Sequence, residues 1–393
     1  MRYLVLFLVF SFSSIIFAQT NTRTGTSSAT FFPQGFGVKL LNSSGLSSVE
    51  NEVSNIGFMN PAAINNFQNF TIGLSYQIST SIDEAWIADI GFSRVNNFYP
   101  QSFGAAAEWN EFTFGLGFGQ KYNGSVDIGE IEITTTQNPD GTGEFFTPTL
   151  EKMIHCYSIS AAYSFNDISE IINDLSIGFR YNLNRYDQYD EINVLIGEAE
   201  DYFHNFNIGL FTRIKLDEQR KLGIGLSYET KSEFNAKLEV NSDLLVDLEL
   251  IDPNRPPVYV QVDYFVTGST PAEMKFDLNI DALPQLSFLM NVSSVFWDNG
   301  NSNVKDQLEF STSAVYTFND DIKTSLGLFL TDYRYKENYF QQLLTELNAF
   351  YITAGINYKF QNFYIDLAIA DSHLASGDFR KQTIGKLAIG VQL

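Results

Sequence analysis

The sequence predicts an all-β protein, a transmembrane antiparallel β-barrel of about 14 strands with an N-terminal plug segment in its lumen. Three observations predict it. Apolar residues alternate with small or polar ones in many runs of about ten residues, the pattern of a wall with lipid on one side and a wet lumen on the other. The links between these runs alternate between short and long. An apolar leader precedes a polar stretch at the N-terminus, and beyond it no stretch approaches the roughly 20 apolar residues of a membrane helix. Composition sets the remaining bounds. Only 18% of the 393 residues are charged while 15% are aromatic, which excludes intrinsic disorder. The 46 acidic residues outnumber 24 Lys+Arg for a net charge of -22, and no basic run occurs, which excludes nucleic acid as the main partner. Cys156 stands alone and forms no internal disulfide.

In chain order, residues 1–18 read as a secretory signal: Arg2, an apolar core softened by Ser11, Ser13 and Ser14, and a small residue, Ala18. Residues 19–67, with a poorly periodic stretch at 30–59, read as a plug (hatch) segment because an open lumen of this width would leak solutes; residues 68–393 read as the barrel. Within the barrel, Phe70, Ile72, Leu74, Tyr76 and Ile78 alternate with Thr71, Gly73, Ser75 and Gln77. Phe112, Phe114, Leu116 and Phe118 alternate with Thr113, Gly115, Gly117 and Gly119. The same pattern recurs at Ile177–Leu183, Leu222–Tyr228 and Leu387–Leu393.

Short turns are expected at 109–110, 166–173, 216–219, 282–284, 319–321 and 360–362, and long polar links at 124–152, 188–200, 241–257, 298–305, 334–346 and 372–381. This asymmetry is that of bacterial barrels with short periplasmic turns and long outer loops. Thirteen strands follow from residue 101 onward, and the runs 69–79 and 84–95 together supply one interrupted strand, giving 14. An even count puts both termini on the periplasmic side and leaves no unpaired edge in lipid. Trp86, Tyr122, Tyr186, Trp297 and Tyr333 near strand ends suit an interfacial aromatic girdle.

No catalytic constellation is legible, and the chain reads as a non-enzyme without cofactor or metal. His155, His204 and His373 are far apart, and no phosphate loop or nucleophile elbow occurs. Ser158 near His155 is too little for acyl hydrolysis, and acidic groups such as Glu198/Glu200/Asp201 and Asp320/Asp321 read as solvated loop charge beside outer-membrane lipids and lipopolysaccharide.

A resemblance adds to this reading. Asn60-Pro61-Ala62 stands just ahead of the first strand and resembles the plug motif of the FadL/TodX-type long-chain fatty acid and hydrocarbon uptake proteins. Three blocks follow in that family's order: Lys221 to Lys231; Thr270-Pro271-Ala272-Glu273 with Val292 to Trp297; and the hairpin 349–370 with Ile365-Asp366-Leu367-Ala368. Two departures are visible: no Gly/Ala-rich run precedes Asn60, and the chain ends in Leu393 rather than an aromatic.

The resemblance implies a bacterial outer-membrane protein for passive uptake of hydrophobic small molecules such as long-chain fatty acids or hydrocarbons. Two alternatives are a barrel component of type IX protein secretion of the shuttle type and a general porin. Phe31, Phe32, Phe36, Phe58 and Met59 either line a ligand pocket or pack the plug. Gly115, Gly117 and Gly119 either form a lateral gate in the wall or make room for the plug.

Overall fold

The computed structural model describes residues 52–82, 94–123, 126–127, 130–132, 142–147, 149–166, 168–192, 195–217, 220–240, 264–296, 306–332, 349–374 and 382–393. The first three strands are β1 (Phe70–Ile82), β2 (Arg94–Trp109) and β3 (Phe112–Asn123). Then come β4 (Thr149–Asn166), β5 (Ile172–Ile192) and β6 (Leu195–Lys215). β7 comprises Lys221–Glu229 and Ser232–Val240, and β8 comprises Tyr264–Thr270 and Ala272–Leu283. The rest are β9 (Leu286–Phe296), β10 (Gln307–Asn319), β11 (Ile322–Asp332), β12 (Ala349–Phe360), β13 (Phe363–Asp371) and β14 (Gln382–Gln392). Neighbours in sequence pair antiparallel, and β14 closes on β1 from Thr71↔Gln392 to Ser81↔Gln382. The result is a closed barrel of 14 crossings. No helix among the described residues is long and apolar enough to cross a membrane; the crossing is made by strands.

The alternation in the sequence becomes the two faces of the wall. On β3, Phe112, Phe114 and Leu116 are exposed outward while Thr113, Gly115 and Gly119 are buried toward the lumen. On β5, Ile177 and Phe179 face out, whereas Ser176, Arg180, Asn182 and Asn184 are buried inside. An apolar exterior needs lipid, and a closed ladder is the only sheet that leaves no backbone group unpaired there.

The count of crossings agrees with the sequence, but several boundaries move. The first crossing is Phe70–Ile82 alone, and the second begins at Arg94; most of the run 84–95 lies outside the described residues. The expected polar link 188–200 is mostly strand, because β5 continues to Ile192 and β6 restarts at Leu195. Those strands have 21 residues each, about twice the roughly 9–11 that a bilayer requires, so the hairpin stands well clear of it. Its outward charges mark the exit: Arg185 pairs with Asp187 at 2.8 Å and with Glu200 at 3.2 Å. The same extension explains Tyr186. It lies on the inner side rather than in a girdle, 2% exposed and stacked on Phe234 with ring centroids 4.2 Å apart. Trp86, Trp297 and Tyr333 lie outside the described residues.

β7 also extends further than expected, to Val240, and the segment expected within 258–281 resolves into β8 with an interruption at Pro271. The register runs on across the break, from Glu229↔Glu273 to Ser232↔Thr270, at a residue that has no N–H to donate.

Besides an interruption of the β6–β7 ladder between Glu229↔Asn207 and Lys237↔Glu200, one seam departs from the regular wall. The β2–β3 ladder runs from Trp109↔Phe112 to Ser102↔Gly119 and stops. Outward of that pair, β2 continues on β1 as far as Arg94, and β3 continues on β4 through a bulge between Gln120 and Tyr122. The two strands share no ladder above Ser102 and Gly119 among the described residues.

Candidate functional site in the lumen

Residues 52–67 occupy the lumen as two short turns of 3-10 helix. In the first, Val53–Asn55, the Glu52 carboxylate accepts from the Ser54 N–H at 3.4 Å and from the Tyr364 hydroxyl of β13 at 2.5 Å. The second, Pro61–Asn66, begins at Asn60-Pro61-Ala62, and the motif explains itself locally. The Asn60 Oδ1 caps the turn by accepting from the Ala62 N–H at 3.0 Å, and Pro61 sits at the first position, where no N–H is needed. The same side chain turns its amide outward: Nδ2 donates to the carbonyls of Leu210 at 3.0 Å on β6 and Leu226 at 3.3 Å on β7. One asparagine therefore starts the turn and docks it on two strands. Asn60→Asp keeps the capping oxygen but faces two carbonyl oxygens without a proton to give, so it should loosen this segment as much as Asn60→Ala does. Limited proteolysis in detergent measures it; native resistance in Asn60→Asp would contradict the wall contacts.

The docking works because the wall has no side chains there. Gly178 on β5 and Gly209 on β6 are cross-strand partners. A Cβ on Gly178 would lie 2.2 Å from Ala62 N and Pro61 C, and one on Gly209 would lie 1.9 Å from Asn60 Oδ1. A second row, Gly73, Gly104 and Gly117, crosses β1, β2 and β3 in register and takes the other turn. A Cβ on Gly104 would lie 1.8 Å from the Val53 carbonyl oxygen.

Gly115 and Gly117 face Ile56 and Gly57, and Gly119 faces the ring of Phe58. Phe58 thereby rests against the inner side of the wall where the β2–β3 ladder ends. Met59 is fully buried in an apolar cluster with Val53, Ile56, Ile64, Ala106 and Tyr364. Phe31, Phe32 and Phe36 lie outside the described residues.

Charge completes the seat. Arg180, fully buried on β5, donates from Nη1 to the carbonyls of Met59 at 2.5 Å and Ile56 at 3.4 Å, and from Nη2 to Glu229 Oε2 at 2.9 Å. Lys121, at the β3 bulge, pairs with the other oxygen, Glu229 Oε1. Asn205 and Asn207 on β6 donate to the same carboxylate at 2.6 and 3.3 Å. Further toward the short-turn rim, Arg213 pairs with Asp174 at 2.8 Å and donates to the Asn66 side chain. The sequence reading missed Arg180, Glu229 and the Gly178/Gly209 pair. The signal available was a charged residue at an inward position of an otherwise small or polar strand face, since an ion that faces a lumen needs a partner there.

Outward of the charges, β4–β8 carry an apolar inner cluster of Ile154, Tyr186, Phe203, Phe234 and Ala236, with Leu238 and Val266 against it. His155 lies 3.4 Å from Asp187, and His204 bonds the Tyr181 hydroxyl at 2.6 Å; the two histidines have different partners. His373 bonds Asp371 on β13.

A closed wall with an apolar exterior and an N-terminal segment seated in its lumen defines a transmembrane β-barrel with an internal segment. No family model matches the chain, and no curated protein matches its sequence. Solved structures do share the fold over almost the whole length. The toluene transporter TbuX of Ralstonia pickettii superposes with a TM-score of 0.61 at 14% identity, over 93% of this chain and 100% of that one. A FadL homologue of Pseudomonas aeruginosa gives 0.62 at 13% identity, over 93% and 100%. The toluene transporter TodX of Pseudomonas putida gives 0.60 at 15% identity, over 93% and 98%. The fold of this chain is therefore that of the FadL-type transporters.

Proposed function

We propose that this protein is a non-enzymatic channel of the bacterial outer membrane for passive uptake of hydrophobic small molecules, such as long-chain fatty acids or hydrocarbons. Residues 1–18 are its cleaved signal, residues 19–67 its plug, and residues 68–393 its barrel. The observation that carries the reading is the seam: the β2–β3 ladder ends at Ser102↔Gly119 with the Phe58 ring against its inner side.

The physical argument concerns the exit. A ligand released into periplasmic water would lose about 0.8 kcal/mol per CH₂ of burial, so a long acyl chain favours passage sideways into lipid. A sideways exit needs a stretch of wall without a ladder, and the seam is one. In this reading Gly119 borders the exit, Gly115 and Gly117 hold the plug just below it, and Phe58 and Met59 meet the ligand as the plug shifts. The lumenal apolar cluster around Tyr186 and Phe203 suits the entry side for the same chemistry. The likeness to TbuX and TodX, both toluene transporters, supports the substrate class.

The test is expression in a Gram-negative host that lacks its own long-chain fatty acid channel. Uptake of radiolabelled oleate or toluene should rise several-fold while uptake of polar sugars stays at background. Sugar uptake without oleate or toluene uptake would indicate a general porin. Co-purification of secretion-machinery proteins, with no uptake of either kind, would indicate a protein-secretion role.

A further inference from the structure

Glu229 holds two cations that belong to different parts of the machine. Its Oε2 takes Arg180, whose other nitrogen holds the backbone of the inner segment at Ile56 and Met59. Its Oε1 takes Lys121, which projects inward from the bulge on β3, just outward of the last β2–β3 ladder pair. Asn205 and Asn207 bond one oxygen each, so the carboxylate is fixed between the two cations. Arg180 and Glu229 are buried and Lys121 is mostly shielded, so an ion that loses its partner here must take another or be left poorly compensated.

We propose that Lys121, Glu229 and Arg180 form a charge relay that couples seating of the inner segment to the position of the β3 edge at the seam. The direction follows from bond strengths. Both sets of Arg180 bonds are charge-assisted, but the Glu229 carboxylate adds a full charge–charge attraction that neutral carbonyls lack. When Lys121 withdraws with the β3 edge, Arg180 still bonds Glu229 while nearby Lys275 on β8 is held by Glu273 at 2.9 Å, so Glu229 draws the guanidinium toward itself. The bonds that yield are those to the neutral carbonyls of Ile56 and Met59. Opening the seam thus releases the segment, and by linkage displacing the segment loosens the seam. Glu229 acts here as a positioning residue. The inference rests on the reading above only in taking the seam and the inner segment as the parts that move.

The experiment reads the segment directly and needs no transport. In a Cys156→Ser background, Ala63→Cys places a reporter thiol in the buried segment, and its modification by a maleimide-polyethylene glycol is timed in detergent-folded protein. Lys121→Gln should accelerate labelling at least about five-fold, at the lower end of site-to-site couplings. Lys121→Arg should restore the slow rate. In a Glu229→Gln background the same Lys121→Gln change should have no further effect, because the relay is already cut. Heat-modifiable migration on gels confirms that each barrel is folded, and Lys121→Met replaces Lys121→Gln should that variant fail to fold. An unchanged rate in the folded Lys121 variant, or an equal acceleration with and without Glu229, overturns the relay. Either result leaves the uptake measurements untouched, so the two readings fail separately.

Discussion

Gly209→Leu is expected to unseat the inner segment while the barrel stays closed. At this position even a Cβ would lie 1.9 Å from Asn60 Oδ1 and 3.0 Å from the Pro61 ring, and at its partner Gly178 the clash is with the backbone of Pro61 and Ala62. The atoms in the way are the Asn60 side chain, held by its cap and its two wall bonds, and the Pro61 ring, so making room for a new side chain breaks those bonds. Displacing Asn60 removes its bonds to the Leu210 and Leu226 carbonyls and its cap, and loss of an N-cap alone typically costs ~1 kcal/mol. The strand ladders on either side of Gly209 do not depend on the segment, so folding of the wall should persist. In planar bilayers the variant should show a persistent nonspecific conductance well above that of the parent. Gly197→Leu serves as control, since a Cβ there meets nothing closer than Leu238 Cδ1 at 3.4 Å. A silent Gly209→Leu with a displaced segment would mean that residues 52–67 do not occlude the lumen.

Closing the seam should have the opposite effect, loss of apolar uptake without any change in conductance. Gln101 and Gln120 are the next positions outward of the last ladder pair, Ser102↔Gly119, and the Gln101 carbonyl already lies 3.2 Å from a Cβ built on Gly119. Gln101→Cys with Gln120→Cys, in the Cys156→Ser background, should form a disulfide that staples β2 to β3 where their own ladder ends. A ligand of sixteen carbons would then have only the aqueous route, at a cost of roughly 12 kcal/mol by the per-methylene estimate. Uptake of labelled oleate should fall to background under oxidising conditions and return on reduction. Uptake that continues through the oxidised form would remove the seam as the exit.

The parts of this protein that were legible in its sequence are those set by local repetition. On β3, Phe112, Phe114 and Leu116 could only face lipid once Thr113, Gly115, Gly117 and Gly119 were placed opposite them, because strand side chains alternate strictly. The number of crossings followed from such runs and from the contrast between turns like 109–110 and links like 124–152. Asn60-Pro61-Ala62 was recognisable for a related reason: a capping side chain followed by proline specifies the start of a turn within three residues. The hairpin of β5 and β6 misled because its outer half carries Asp187, Asp190, Glu191, Glu198 and Glu200. Charge there suggests a loop, whereas above the bilayer both faces of a strand can be polar.

By itself, then, the sequence determined the wall: period-two patterning is a property of each strand and needs no knowledge of its neighbours. Only the tertiary structure decided what the wall holds. Gly178 and Gly209 are 31 residues apart, and nothing local distinguishes them from other strand glycines until pairing sets them side by side under Asn60. Glu229 acquires its meaning from Lys121, Arg180, Asn205 and Asn207, on three other strands. The end of the β2–β3 ladder is likewise invisible in either strand alone, because both continue, each on its other neighbour. Closure of the sheet brings these distant positions onto one inner surface, and a buried charge or a missing Cβ has consequences only through the atoms that closure places against it.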